Sequence, residues 1–144
     1  MAGQGATSER EMRGVRRLIV LGSTGSIGTQ ALEVVRHLNG LHGAGASPVR
    51  YEVVGLCAGR NSGLLADQAR AFGVRECALS EGRGIEGVRC RVGPGAAEAL
   101  VREVEADLVL AAIVGVAGLP ATLAAVELGR DVALANKETL VAAG

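Results

Sequence analysis

The sequence has few aromatic residues, no excess of charge and no long apolar run. Its 144 residues contain one tyrosine, one phenylalanine and no tryptophan, although 49% are hydrophobic. We therefore expect an aliphatic core in a chain of about one domain. The 15 basic residues are balanced by 15 acidic ones, which argues against a nucleic-acid-binding surface. No apolar run is long enough to predict a membrane span.

Cysteine is also scarce. Cys57, Cys77 and Cys90 are odd in number and show no C-x-x-C spacing, so the sequence predicts neither a disulfide framework nor a cysteine metal site. We expect packed, reduced thiols and a cytoplasmic location. Residues 1–14 are polar and lack the apolar stretch of a signal peptide. We predict that they form a disordered tail ahead of a domain at 15–144.

A glycine-rich turn follows the first predicted strand. The apolar run 18–21 ends at Gly22, and a helical pattern begins near Ser26. Gly22 and Gly25 can adopt positive φ and let the backbone approach a ligand, and Gly28 lets the helix press against the strand. The N-terminus of such a helix suits a phosphate. The alternative is a tight turn that binds nothing, because glycine spacing alone is weakly diagnostic.

Strand and helix patterns alternate along the rest of the chain. This alternation predicts an α/β fold, a doubly wound and mostly parallel Rossmann-like sheet with helices on both faces. In such sheets ligands lie at the carboxyl ends of the strands. The further predicted strands are 51–57, 76–79, 88–92 (an edge strand), 108–114 and 132–135. The predicted helices are 26–39, 62–72, 96–105, one that ends at Gly129 and one that begins at Asn136.

The turn after the second strand favours NADP over NAD. In dinucleotide sites an acidic residue here binds the ribose hydroxyls of NAD, whereas an arginine accommodates the 2′-phosphate of NADP. No acidic residue follows this strand before Asp67, and Arg60 can form a forked contact with a phosphate. Alternatively, Arg60 is a solvated charge, and Asn61 or Ser62 only caps the next helix.

Two later segments also follow predicted strands. The small residues of 111–118 would let a nicotinamide ring or ribose lie on the backbone, or would let a helix pack closely against the sheet. Capping explains Asn136 and Glu138. Lys137 opposes the helix dipole, which indicates an anionic ligand group nearby.

Four segments together form a specific pattern: LGSTGSIG (21–28), AGRN (58–61), AAIVGVAGL (111–119) and LANKETLV (134–141). In this order they resemble the N-terminal domain of the 1-deoxy-D-xylulose 5-phosphate reductoisomerase family. The resemblance implies conversion of 1-deoxy-D-xylulose 5-phosphate to 2-C-methyl-D-erythritol 4-phosphate in isoprenoid biosynthesis. It also implies a metal-assisted rearrangement followed by hydride transfer from NADPH.

The resemblance implies contacts to three parts of the ligands. The cofactor diphosphate is held by Thr24, Gly25, Ser26 and Ile27. The adenosine ribose and its 2′-phosphate are held by Gly59, Arg60 and Asn61. The nicotinamide end is bordered by Asn136 and Glu138, and the substrate is contacted by Lys137.

In the family a divalent metal (Mn²⁺, Mg²⁺ or Co²⁺) is bound by an Asp-Ser-Glu block, which would lie beyond residue 144. We therefore expect a fragment with no catalytic or metal-binding residue, which binds NADPH without turnover and forms a homodimer only as the full-length enzyme. The alternative is a standalone nucleotide-binding or regulatory module without catalysis. A semialdehyde dehydrogenase, which can carry a similar glycine turn, would need a nucleophilic cysteine with an activating base.

Overall fold

The computed structural model describes residues 14–113 and 115–134. Within them the strands are β1 (Val15–Leu21), β2 (Arg50–Ala58), β3 (Glu76–Leu79), β4 (Arg89–Val92), β5 (Leu108–Ala111) and β6 (Asp131–Leu134). The helices are α1 (Ser26–Gly43), α2 (Ser62–Phe72), α3 (Ala96–Glu103) and α4 (Leu119–Glu127), and a 3₁₀ turn spans Gly115–Gly118.

The six strands form one sheet in the order β4-β3-β2-β1-β5-β6, and every neighbouring pair is parallel. The chain winds outward from β1 in both directions, so the direction of winding reverses between β1 and β5. Ligand crevices of open parallel sheets lie at such a reversal. This arrangement confirms the predicted doubly wound fold.

The helices cover both faces of the sheet. Leu18 and Val20 of β1 pack in one aliphatic cluster with α1 and α2. Ile19 and Leu21 point to the opposite face, where they pack with α3 and α4. This follows from the alternation of side chains along a strand. Because helices lie on both faces, all four of these side chains are buried, as expected for an aliphatic core.

The first helix is longer than the sequence predicts. It continues through Gly40 to Gly43, although Asn39 and Gly40 are typical helix terminators. The Asn39 amide is used elsewhere, since its Nδ2 donates to the Tyr51 carbonyl (2.9 Å) and its Oδ1 accepts from the Tyr51 N–H (2.7 Å). The positive φ that ends the segment occurs at Gly45. Asn39 therefore fixes α1 to the start of β2 instead of terminating it.

Two other predicted elements are shorter in the structure. Helix α3 ends at Glu103 because Val104 has extended backbone angles. The chain then turns so that Asp107 can pair with Arg17 of β1. Strand β5 ends at Ala111, before the 3₁₀ turn, and not at Val114, which lies outside the described residues.

The cysteine thiols are free. Cys57 and Cys77 are buried, and Cys90 is partly exposed on β4, where it packs against the aliphatic cluster. In the part of the chain that the structure describes, no helix combines the length and apolarity needed to cross a membrane.

Candidate functional site at the carboxyl edge of the sheet

The turn between β1 and α1 is held tightly by its own backbone. The N–H groups of Gly22 and Ser23 both donate to the Cys57 carbonyl of β2, at 2.8 and 2.9 Å. Gly22 has φ +79°, and a Cβ there would lie 2.7 Å from the Ala112 carbonyl oxygen. A Cβ on Gly28 would lie 2.0 Å from the Gly22 carbonyl oxygen. The fold itself therefore requires glycine at these two positions, as predicted for the close approach of Gly28.

Gly25 differs from its two neighbours in the motif. Its φ of −75° and ψ of 172° are open to any residue, so the expectation of a positive φ at Gly25 is wrong. Among the described residues, a Cβ there would meet only the Gly22 carbonyl oxygen, at an ordinary 3.6 Å. Gly25 is the N-cap of α1 and supplies no side-chain cap, although Ser, Thr, Asp or Asn would cap better. The contacts of Gly25 with the described part of the chain therefore give no folding reason for a glycine here.

The N-terminus of α1 fits an anionic group. The first-turn N–H groups, those of Ser26 and Ile27 among them, have no acceptor within the helix, and no acidic residue lies in this turn. Gly25 and Ser26 are exposed, and Thr24 and Ile27 are partly exposed. The Ser23 hydroxyl is buried and has no hydrogen-bond partner among the described residues. Open N–H donors beside the positive end of the helix dipole are typical of phosphate sites.

The second predicted group lies at the end of the neighbouring strand β2. Gly59, Arg60 and Asn61 are all exposed, and a Cβ on Gly59 would meet no atom of residues 14–113 or 115–134 within 4 Å. Asn61 caps α2, since its Oδ1 accepts from the Leu64 N–H at 3.1 Å. This cap engages only the Oδ1 of Asn61, so the predicted ribose contact of Asn61 stays a prediction. Across residues 14–113 and 115–134, no carboxylate lies within ion-pair distance of the Arg60 guanidinium, so its charge is open to an external anion.

Sequence reasoning missed Gln68 of α2. Its side chain is 8% exposed, and its Nε2 donates to the Ser23 carbonyl at 2.8 Å. A contact across 45 positions has no local sequence signal. The available hint was helical spacing, because Gln68 lies on the same face of α2 as the buried Leu65 and Ala69.

The segment after β5 shows close packing at one of its glycines. A Cβ on Gly118 would lie 2.9 Å from the Ile113 Cβ, so packing accounts for this glycine. Gly115 has φ +73° and forms the turn. The predicted residues Asn136, Lys137 and Glu138 lie outside the described residues. The structure thus brings together the groups after β1 and β2.

The buried cysteines lack the properties of a nucleophile. Burial raises the pKa of the Cys57 thiol to about 11 and that of Cys77 to about 12. A thiol with such a pKa is almost wholly protonated at neutral pH, whereas the thiolate is the nucleophile. Cys57 is the cysteine at the end of β2, so this argues against the semialdehyde dehydrogenase interpretation.

The described residues do not fit a metal ion. Between residues 14 and 134, position 114 excepted, no three His, Cys, Asp or Glu side chains lie together as potential ligands. No chemical step of a divalent cation can therefore be derived from this part of the chain.

Comparison with known proteins agrees with this geometry. Residues 18–144 match the family model of 1-deoxy-D-xylulose 5-phosphate reductoisomerase. The chain belongs to this family. A reductoisomerase from Leifsonia xyli subsp. xyli is 52% identical over 130 residues, which cover 90% of this chain and 30% of the relative. One from Mycobacterium avium is 48% identical over 141 residues, covering 96% of this chain and 32% of the relative.

Solved reductoisomerase structures share the fold. The enzyme from Zymomonas mobilis in complex with NADPH superposes with a TM-score of 0.69 at 36% identity, over 92% of this chain and 35% of that one. A reductoisomerase in complex with NADPH, fosmidomycin and magnesium gives 0.70 at 30% identity, over 88% and 31%. The chain thus spans about a third of the length of the reductoisomerases it matches.

Proposed function

We propose that this chain is the NADPH-binding part of a reductoisomerase that converts 1-deoxy-D-xylulose 5-phosphate to 2-C-methyl-D-erythritol 4-phosphate. Family membership supports the reaction, and the complexes of similar enzymes with NADPH support the cofactor. The site geometry supports NADPH binding by this chain itself. The chain alone binds the cofactor and does not turn over substrate.

The observation that carries the proposal is the open space at Gly25. Gly22 and Gly28 are explained by contacts within the protein, whereas Gly25 has an ordinary conformation and no described residue obstructs its Cβ direction. The missing side chain leaves room directly in front of the α1 N-terminus. A diphosphate placed there would receive N–H donors and the helix dipole together.

The roles of the other residues follow from their places. Thr24, Ser26 and Ile27 line the same helix N-terminus and would hold the diphosphate through their backbone. Gly59 and Arg60 follow the adjacent strand, where the ribose of a dinucleotide lies in this fold. Arg60 would pair with the 2′-phosphate by charge-assisted hydrogen bonds. We retain Asn61 as a ribose contact through the amide group that its capping bond leaves free.

The nicotinamide and substrate contacts rest on family resemblance alone. Asn136 and Glu138 are proposed at the nicotinamide end, and Lys137 at the substrate. When bound, NADPH supplies the hydride that reduces the rearranged substrate. The described part of this chain binds and orients the cofactor.

The sharpest test replaces Gly25 by valine. A Val side chain would occupy the space proposed for the diphosphate, so we expect NADPH affinity to fall at least about 100-fold, with the stability of the sheet retained. Gly95→Val is the matched control, because Gly95 is also an exposed N-cap with a non-positive φ and open space around it. Calorimetric titration of both variants, beside circular dichroism, decides the question. Native spectra with unchanged NADPH affinity for Gly25→Val would refute the assignment.

Activity measurements test whether the chain is inactive alone, and whether it is part of a reductoisomerase or a regulatory nucleotide-binding module. The 144-residue chain with NADPH, substrate and Mn²⁺ or Mg²⁺ should leave NADPH absorbance at the no-protein rate, because metal-assisted rearrangement needs ligands that its described residues do not supply. NADPH consumption above that rate would contradict the claim of an inactive part. The alternative function, a regulatory nucleotide-binding module, predicts that supplying the family's remaining two thirds restores no activity.

Two further properties are proposed for the full-length enzyme. The free thiols of Cys57 and Cys77 support a reducing, cytoplasmic location. The homodimer is carried over from the family resemblance. Equilibrium sedimentation of the full-length enzyme tests the dimer, and a monomer at micromolar concentration would contradict it.

A further inference from the structure

Gln68 connects the two halves of the proposed cofactor site. It lies on α2, which begins at the Asn61 cap directly after Arg60. Its Nε2 donates to the Ser23 carbonyl in the β1–α1 turn, at 2.8 Å. The side chain is 8% exposed, so water competes little for this bond. Within the described residues, Ser23 and Gln68 are the two polar side chains buried to this degree.

The hydrogen bond fixes one peptide plane of the turn. The Ser23 N–H is already bound to the Cys57 carbonyl (2.9 Å), which fixes the peptide that precedes Ser23. Gln68 holds the carbonyl of the following peptide, which joins Ser23 to Thr24. In a trans peptide the carbonyl and the next N–H point in opposite directions. Binding of the Ser23 carbonyl by α2 therefore directs the Thr24 N–H away from α2.

We propose that Gln68 is a positioning residue for the cofactor diphosphate. It orients the Thr24 N–H donor at the entrance of α1 without touching the ligand. This inference rests on the proposed function, because Thr24 matters to binding only if the diphosphate lies at this turn. It adds a residue from α2 to the two predicted cofactor-binding loops that the structure describes, 24–27 and 59–61.

The test compares three nucleotides on the 144-residue chain. NADPH and NADH share the diphosphate, whereas 2′-AMP carries the ribose and 2′-phosphate without it. We expect Gln68→Met to weaken NADPH and NADH equally, by roughly three- to tenfold, the net effect of one hydrogen bond. The affinity for 2′-AMP should not change. Gln30→Met is the matched control, because Gln30 is exposed on α1 and should leave all three affinities unchanged.

The nucleotide pattern separates positioning from a general structural role. Damage to α2 would weaken 2′-AMP together with the dinucleotides, and either that result or unchanged NADPH affinity would overturn the inference. If urea titration shows that Gln68→Met does not fold, Gln68→Asn decides by the same pattern, since it keeps a neutral amide but is one methylene shorter and so withdraws the N–H donor from the Ser23 carbonyl. Unmodified chain that fails to bind NADPH would refute the proposed function itself, whereas normal binding with an unaffected Gln68 variant refutes this inference alone.

Discussion

The sheet has one edge at which its parallel strands begin, the amino edge, and one at which they end, the carboxyl edge. Arginine has opposite environments at these two edges. At the amino edge Arg17 of β1 binds Asp107, just before β5, through Nε (3.2 Å) and a terminal nitrogen (2.9 Å). The same carboxylate accepts the Arg17 backbone N–H at 2.8 Å. The two side chains are only 11% and 15% exposed. The hydrogen bonds to Asp107 are the largest factor that raises the pKa of Arg17. The charge of this guanidinium is thus neutralised by a carboxylate of the same chain.

At the carboxyl edge Arg60 is exposed, and the described residues offer it no carboxylate. The adjacent turns contain glycines with space around them, Gly25 and Gly59. Charge is thus neutralised internally where β1 and β5 begin, and left available where the strands β1 and β2 end. The comparison separates residues that stabilise the fold from residues that the proposed cofactor would engage.

The largest effect on the free energy of unfolding is expected from Asp107→Ala, at the edge where β1 and β5 begin. Removing one partner of a largely buried pair leaves the other charge uncompensated, which typically costs about 3–5 kcal/mol. We expect a loss of about 3 kcal/mol in the free energy of unfolding, the lower end of that range. The reason is that Glu105 still faces Arg17, at 3.1 Å. Urea denaturation measures this loss.

The same variant should leave cofactor binding alone. Folded Asp107→Ala chain should bind NADPH with the affinity of the unmodified chain, because the pair lies at the opposite end of β1. Saturating NADPH should shift both denaturation curves by the same free energy. A selective loss of NADPH affinity in this variant would contradict the proposal that the amino edge serves folding and the carboxyl edge serves cofactor binding.

Arg60→Glu should show the reverse of Asp107→Ala: a loss of NADPH affinity with little change in the free energy of unfolding. Hydrogen bonds to charged groups contribute on the order of 1.5–3 kcal/mol, which corresponds to roughly 10- to 150-fold in NADPH affinity. Exposure of Arg60 places the effect toward the lower end, and added salt should reduce it. NADH affinity should fall much less, because NADH lacks the 2′-phosphate. The free energy of unfolding should change by less than about 0.5 kcal/mol.

Arg75→Glu is the control for this charge reversal. Arg75 is exposed just before β3, at the amino edge, so it changes the net charge equally without facing the proposed site. Fluorescence titration with both cofactors distinguishes the variants. Equal losses of NADPH and NADH affinity in Arg60→Glu, or no loss, would show that Arg60 is only a solvated charge.

The sequence predicted well those features that depend on local patterns. The limits of β3 agree with the structure, and so do both ends of α2, because buried apolar runs and the Gly73 helix stop are local signals. The roles of Gly59 and Arg60 in cofactor binding stay predictions. The structure shows that Asn61 caps α2 through its Oδ1, and its contact with the ribose likewise stays a prediction.

The errors arose where a distant residue decides the conformation. Asn39 looks like a helix stop until Tyr51 provides its amide with two backbone partners. From its spacing, Gly25 resembles Gly22, which has a positive φ. Of these two glycines, only Gly22 lies against Ala112. Gln68 gains its role from Ser23, which lies on another element. Periodicity and spacing along one segment do not contain this information.

The smallest expected effect concerns a more exposed ion pair of the amino edge, between Arg16 and Asp131. The Arg16 guanidinium lies 2.6 Å from the carboxylate, but the side chains are 34% and 73% exposed. Exposed pairs contribute about 0.2–1 kcal/mol, because water screens the charges and two side chains lose freedom. A double-mutant cycle with Arg16→Ala and Asp131→Ala, measured by urea denaturation, should give a coupling energy in that range. The coupling should decrease in 1 M NaCl, where the screening length falls to about 3 Å. A coupling as large as that of Arg17 with Asp107, or one insensitive to salt, would show that burial is not what distinguishes the Arg16–Asp131 pair from the Arg17–Asp107 pair.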